Sequence, residues 1–328
     1  MTVDTFLYAL RAVMPILLIM ALGFVVRRLG SWDGAFFKRL NSICFHLFLP
    51  INLFCNVYTV GDLSEMNWML AGFMVLGILI SLLLGWVAAI LFVRERGQKG
   101  VVIQASFRAN HAILGLPLAE ALGGAAALGF ASLTTAFCVP VFNLLAVIVL
   151  SAYGDAERPS PETLVKRVLN NPLILATILG MLCVVIRNLT GMTVPVLERV
   201  PSVYTAMKNL SKIASPMMLF TLGAGLNFQA VGDLLPKISL GVVLRLIVTP
   251  VLVIGAIVLL REPLGVTSVE MPALLAAFAS PVAVSSAVMT QEIGGDDQLA
   301  SQLVVWTSVL SMVTIFLFVY ILRAMGML

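Results

Sequence analysis

Charged side chains are scarce: Asp, Glu, Lys and Arg make up 11% of the 328 residues, whereas 60% are hydrophobic and the mean hydropathy is +1.06. Soluble domains carry about 25% charged residues. Surface-to-volume scaling leaves a chain of this length too much exposed area to hide so much apolar side chain from water. Lipid is therefore the expected solvent. The net charge of +4 is spread along the chain and makes no basic stripe of the kind nucleic acid requires. Cysteine is also rare. Cys44, Cys55, Cys138 and Cys183 sit singly in apolar runs with no CxxC pair, which excludes a disulfide framework or zinc site and reads as small buried hydrophobes. No nucleotide-binding glycine loop is present, which speaks against ATP-driven transport by this chain alone. No cleavable leader is evident: the first apolar run, 6–26, follows Asp4 rather than a basic stretch and is expected to remain as a span.

Long apolar runs are abundant. A bilayer-crossing helix needs about 20 mostly apolar residues. Ten stretches qualify, near 6–26, 36–57, 67–93, 101–121, 126–152, 171–188, 205–226, 237–260, 271–291 and 299–323. The longest polar link, 153–170, falls near the middle of the chain and carries Pro159, Pro161 and Asn171-Pro172 as helix punctuation. The two halves echo one another in order: ILFVRERG (90–97) with VLLREPLG (258–265), LAEALGGAAALGFASL (118–133) with MTQEIGGDDQLASQLV (289–304), and KRLNSICFHLFLP (38–50) with KNLSKIASP (208–216). Repeats of 1–164 and 165–328, each with an odd number of spans, must enter the membrane in opposite directions. This predicts an all-α membrane protein of ten spans in a 5+5 inverted repeat, an arrangement in which secondary transporters bind substrate at the repeat interface.

Basic residues after spans 1, 3 and 5 (Arg27, Arg28, Lys38, Arg39; Arg94, Arg96, Lys99; Arg158, Lys166, Arg167) contrast with Asp62 and Glu65 after span 2 and Glu120 after span 4. The asymmetry puts both termini outside. Arg187, Arg199, Lys208 and Arg261 in the second half point the other way; the earlier spans are given the greater weight.

Span 4 reads FRANHAILGLPLAEALGG (107–124) and span 9 reads AFASPVAVSSAVMTQEIGGD (277–296). With the 5+5 layout, these segments resemble the auxin efflux carrier family, which includes plant auxin exporters and bacterial malate or malonate permeases. The resemblance covers the whole chain. Its most specific pieces are Asn110 followed by Gly115-Leu116-Pro117, and Pro281 within span 9. It implies that spans 4 and 9 are broken and cross at the membrane centre. It also implies a scaffold of spans 1, 2, 6 and 7, a mobile unit of spans 3–5 and 8–10 working as an elevator, and a homodimer built on the scaffold. Where the plant exporters have Pro-Asn at the span-4 break, this chain has Ala109-Asn110, and no charge lies between Met66 and Val93 in span 3. A bacterial inner membrane is the expected location. Independently of the family, laying Gly123-Gly124 on Gly294-Gly295 sets Asn110 opposite Pro281.

A helix broken within lipid frees backbone groups that persist only around a cavity or inside protein. Half-helices that begin there aim their positive ends at the cavity, which suits a carboxylate. The expected substrate-binding residues are Asn110, His111, Arg108, Pro281, Ser280 and Ser285, with Gly115, Pro117 and Pro281 as the helix-break residues. For each there is a plainer alternative: Asn110 as a cap of broken backbone, Gly115 and Pro117 as a tolerated kink, the serines as interhelical glue, Arg108 as a snorkelling side chain, His111 and His46 as packing residues rather than proton carriers. Arg245 faces a cavity or is structurally paired. Asn41, Asn52 and Asn143 read as glue. No Asp or Glu is placed near mid-membrane, which disfavours a cationic substrate and a carboxylate proton relay. Neither a cofactor nor a metal is expected; coupling to sodium or protons is open. The leading expectation is a secondary carrier of a small mono- or dicarboxylate. An exporter of amino acids or amphipathic acids is the alternative, a non-transporting receptor or channel a further one. No constellation for an enzyme is present.

Overall fold

In the computed structural model the described residues are 2–30, 32–59, 67–154, 159–191, 196–227, 229 and 231–328. Asp62, Glu65 and Arg158, used above for orientation, lie outside them. Helices α1 (Thr2–Arg28), α2 (Gly34–Ile43), α3 (Leu49–Tyr58), α4 (Trp68–Phe92), α5 (Arg96–Phe107), α6 (Leu116–Tyr153) and α7 (Pro161–Leu169) make up the first half. The second half contains α8 (Pro172–Thr190), α9 (Pro201–Gly225), α10 (Val231–Val243), α11 (Thr249–Leu259), α12 (Glu270–Ala279), α13 (Ser285–Ile293) and α14 (Asp297–Ala324). The architecture is all-α. Among the described residues, six helical runs are long and apolar enough to cross a membrane: Gly34–Tyr58, Trp68–Phe92, His111–Tyr153, Pro172–Thr190, Val231–Leu259 and Asp297–Ala324.

Local sequence sets where these helices start and bend. Asp33, Asn67, Ser160, Asn171 and Asp296 each accept a first-turn backbone N–H, for example Phe36 N at 2.8 Å and Leu299 N at 2.9 Å; such caps contribute about 1 kcal/mol each. Proline removes a donor and crowds the preceding turn. Three prolines, Pro50, Pro117 and Pro250, each follow a widened π-helical turn: Cys44–Phe48, His111–Gly115 and Leu244–Val248. The wide turn absorbs the displaced carbonyl without ending the helix. The run labelled α6 holds two helices that meet at a kink at Gly124, where φ of 68° and ψ of −160° leave the helical region and favour glycine, so the boundary between spans 4 and 5 falls there. The central link is not irregular throughout: Ser160, Pro161 and Glu162 start α7, and Lys166, which pairs with Glu162 at 2.8 Å, and Arg167 close it.

The helices pack in two groups. In one, α1 lies on α9, α3 on α8 and α9, and α2 on α9. In the other, α4 packs on α5 and α6, α6 on α12, α11 on α12, and α10 and α13 on α14. The first group is fastened by bare backbone. A Cβ on Gly23 would stand 2.0 Å from the Phe220 carbonyl oxygen, and one on Gly223 1.9 Å from that of Met20. Only glycine permits this approach, the small-residue packing that lipid-embedded helices use. Polar side chains complete it: Asn52 Nδ2 donates to Ser211 Oγ at 3.0 Å, and Thr221 Oγ1 to Asn41 Oδ1 at 3.3 Å.

Candidate functional site

Two helices of the second group are interrupted. After Phe107 the chain leaves the helical region (Arg108 φ −83°, ψ 97°; Asn110 φ −80°, ψ 56°) before the π turn begins at His111. After Ala279 it does the same at Ser280 (φ −64°, ψ 148°) before α13. The break in the first helix thus falls at Arg108–Asn110, and Gly115 and Pro117 mark the junction from π turn to α6 instead. The two extended segments cross and pair antiparallel at Ala109 and Val282. Asn110 N–H donates to the Pro281 carbonyl at 2.8 Å, and Ala283 N–H to the Arg108 carbonyl at 3.1 Å. Val282 N–H donates to Thr307 Oγ1 at 3.1 Å. Broken backbone is thereby satisfied inside protein.

The carboxyl ends of α5 and α12 converge on Arg245, which is fully buried. Its Nε donates to Ser280 O at 2.8 Å, Nη1 to Phe107 O at 3.2 Å and Ser106 O at 3.4 Å, and Nη2 to Phe278 O at 3.1 Å and Ala277 O at 3.3 Å. A guanidinium suits this place because helix C-termini present unpaired carbonyls and a negative dipole end. Of the two readings for Arg245, this geometry is structural.

The opposite ends of the same interruptions border a cavity of about 220 Å3, walled by Leu49, Asn52, Asn56 and Met218 of the first group. Arg108, Asn110, His111, Asn143 and Ser285 line it from the second group. Arg108 is buried, with Nη2 donating to Asn143 Oδ1 at 2.7 Å and Ser285 Oγ at 2.9 Å and Nη1 reaching Met289 Sδ. These partners are neutral, and none of the described lining residues is acidic. The Asn110 side chain makes no cap hydrogen bond, and its Nδ2 and that of Asn143 are buried without an acceptor. A buried donor left unpaired is costly, so the site holds one cation and two idle amide donors around a small void.

Of the remaining expected residues, His111 lines the cavity while its ring also packs on α6, and Ser280 and Pro281 serve the crossing. His111 Nε2 lies 3.4 Å from the Ala131 carbonyl, and its Nδ1 is close to where a Gly115 Cβ would stand, so its ring packs within α6's own neighbourhood. Ser280 Oγ donates to the Ala276 carbonyl, its own carbonyl is held by Arg245, and Pro281 offers its carbonyl to Asn110. Ser280 and Pro281 therefore supply backbone to the crossing and are not among the cavity-lining residues. Asn143, read from sequence as glue, is a correction: it holds Arg108 and faces the void. Asn52 both ties α3 to α9 and lines the cavity. No spacing in the sequence pairs position 143 with 108; only the packing of α6 against α5 does.

A family model described as membrane transport protein matches residues 8–319. The chain belongs to this family, the auxin efflux carriers. The family is one of membrane transporters and not of enzymes, and membership makes this an integral membrane protein. An "Uncharacterized transporter" of Methanothermobacter thermautotrophicus is 24% identical over 315 residues, which cover 94% of this chain and 97% of that one.

Proposed function

We propose that this auxin efflux carrier family member is a secondary transporter of small organic anions, and that Arg108 carries the recognition. The supporting observation is a buried guanidinium at a cavity with neutral partners only. A buried cation without a counter-charge is unfavourable, and a carboxylate in the void supplies that charge while accepting from Asn110 and Asn143. The positive ends of two half-helices favour the same ligand. Arg108 is the single cation among the described lining residues, and Leu53, Ile113, Leu116, Val139 and Phe142 give the void apolar walls. A monoanion with an apolar body fits this balance better than a dicarboxylate, which favours the amphipathic-acid reading within the anion class.

The proposed architecture is ten spans in a 5+5 inverted repeat, with α1, α2–α3, α8 and α9 as a fixed scaffold and the other helix group as the moving unit. A second cavity of about 630 Å3, lined by Arg27, Gly34, Lys38, Gly225 and Asp297, lies at the other ends of α2–α3 and α9. Voids on both sides of one interface support alternating access. Both termini are proposed to lie outside.

The test is a thermal-shift screen of the purified protein against monocarboxylates, dicarboxylates and amines, each with and without sodium. Ligand that binds only the folded protein at a hundred times its Kd adds about 2.7 kcal/mol of stability. Monocarboxylates should raise Tm; saturable stabilisation by amines alone overturns the reading. With a binding acid in hand, Asn110→Ala and Asn143→Ala should each weaken affinity by about ten- to a hundredfold, since a hydrogen bond to a charged group contributes roughly 1.5–3 kcal/mol. Titration calorimetry on the two variants checks it, and unchanged affinity in both removes them from the site.

A further inference from the structure

The second cavity, of about 630 Å3, has a lining unlike that of the first. Arg27 and Arg28 reach it from the end of α1 and Lys38 from α2, against one described acid, Asp297 at the start of α14. Three cations less one carboxylate give this lining a formal charge of +2. Arg27 Nη1 donates to the Trp32 carbonyl at 3.3 Å, and the Arg28 guanidinium lies 5.1 Å from the centre of the Phe24 ring. Among the described residues no carboxylate forms an ion pair with any of the three cations.

A narrower void of about 40 Å3 extends this cavity. The two share Thr221, Gly225, Gln291, Asp297 and Gln298, and the extension adds Asn41 and Ser301. It runs between α2 and α9 of the first group and α13 and α14 of the second, the interface on which the anion cavity also lies. Asn41 is 3% exposed; its Oδ1 accepts from Thr221 at 3.3 Å, and its Nδ2 has no acceptor. A buried amide donor without a partner is costly, and an anion that reaches the extension supplies the missing acceptor. Lys38 and Asn41 stand three residues apart on α2 and so share one face of it, which sets the charge at the mouth in line with the amide within. Gln298 Oε1 is unpaired there too; a half-turn of that amide presents its Nε2 instead, in exchange for a 3.4 Å bond to the Gly225 carbonyl.

Basic residues flanking a span are ordinary on one side of a membrane, and that role accounts for Arg27 and Arg28 taken singly. It does not account for their meeting Lys38 around a void that leads to an unpaired amide. We propose that this cavity is a charge-selective vestibule for the carried anion: Arg27, Arg28 and Lys38 draw carboxylates in from the side of the basic loops, and Asn41 makes their first hydrogen bond within the interface. A cleft lined by one sign of charge raises the local concentration and arrival rate of the opposite charge by about 10- to 1,000-fold. Charges at a rim act on arrival rate and its salt dependence more than on affinity, so Arg108 remains the group that sets how tightly the anion is held. The proposal rests on the reading that the solute is an anion, and adds the residues that turn cations away before they reach Arg108.

The experiment reads the field in the cavity through a thiol and needs no substrate. Asn227 lines the vestibule, and Asn227→Cys is made in the full-length chain together with Cys183→Ala; Cys44, Cys55 and Cys138 are buried. Modification rates by anionic sulfonatoethyl and cationic trimethylammonioethyl methanethiosulfonate are compared in neutral detergent, each relative to its rate with free mercaptoethanol. Both reagents meet the same thiolate, so their ratio isolates charge selection. In about 0.05 M salt the anionic reagent should be favoured about tenfold. In about 1 M salt, where the Debye length is about 3 Å, the preference should largely vanish. Arg27→Gln, Arg28→Gln and Lys38→Gln combined should reverse it, and Asp297→Asn should enlarge it. Equal relative rates in low salt overturn the vestibule, as does a thiol that neither reagent reaches; the salt series uses no charge variant, so misfolding of the combined variant does not shield the proposal. Copurified anionic phospholipid that must be removed before the anionic reagent gains access assigns the void to a lipid headgroup and also overturns it. Thermal shifts with carboxylates on the same samples report separately on the Arg108 site.

Discussion

Exchanging Arg108 for methionine should abolish measurable anion binding while leaving a folded protein of undiminished thermal stability. The guanidinium is buried, and its hydrogen bonds go to Asn143 and Ser285 side chains that line the cavity and can turn to each other or to water. Removing it takes away the charge that balances a carboxylate and up to two charge-assisted bonds, each worth roughly 1.5–3 kcal/mol. The expected loss is at least about a hundredfold in affinity. Removing a buried, unpaired cation also relieves an electrostatic cost, so the ligand-free Tm should hold or rise. Arg108→Lys keeps the charge without the planar fork and should lie between the two. Titration calorimetry and a melting curve on the same preparation read both effects; a variant that binds like wild type sinks the assignment.

Arg245→Met should do the opposite and prevent stable folding. Its guanidinium donates to the carbonyls of Ser106, Phe107, Ala277, Phe278 and Ser280, all in the buried crossing. Each buried acceptor left unpaired costs about 1–3 kcal/mol, and several together approach the whole stability of a domain, about 5–15 kcal/mol. Loss of the monodisperse peak in size-exclusion chromatography is the expected result. A variant that stays monodisperse with wild-type Tm would show that the crossing stands without its clamp. The two buried arginines thus differ in what surrounds them: Arg245 is held by backbone carbonyls, whereas Arg108 faces the cavity with neutral side-chain partners.

Much of the helical layout was legible because lipid imposes it: a run of about 20 apolar residues has few alternatives. The interruptions were also legible, through Asn110 and Pro281 and the paired glycines that follow them. The position of the break was legible through the resemblance, which set it at Ala109-Asn110, where the extended backbone lies; Gly115 and Pro117, read as helix-break residues, sit instead at a wide π turn that accommodates Pro117. Asn143 was missed for a different reason. A polar residue inside an apolar span looks the same whether it ties helices or faces a void, and the difference lies in a contact with Arg108 across 35 positions.

The antiparallel pairing at Ala109 and Val282 has a consequence for energetics across the membrane. It stitches the two interrupted helices together, so that in the proposed moving unit Arg108, Asn110, Asn143 and Ser285 would travel together while the facing wall changes. For a carrier built this way the ligand meets the same donors whether it arrives from one compartment or the other. Its dissociation constant should then be nearly equal on the two faces, and the protein by itself sets no preferred direction: reversing the anion gradient should reverse the net flow.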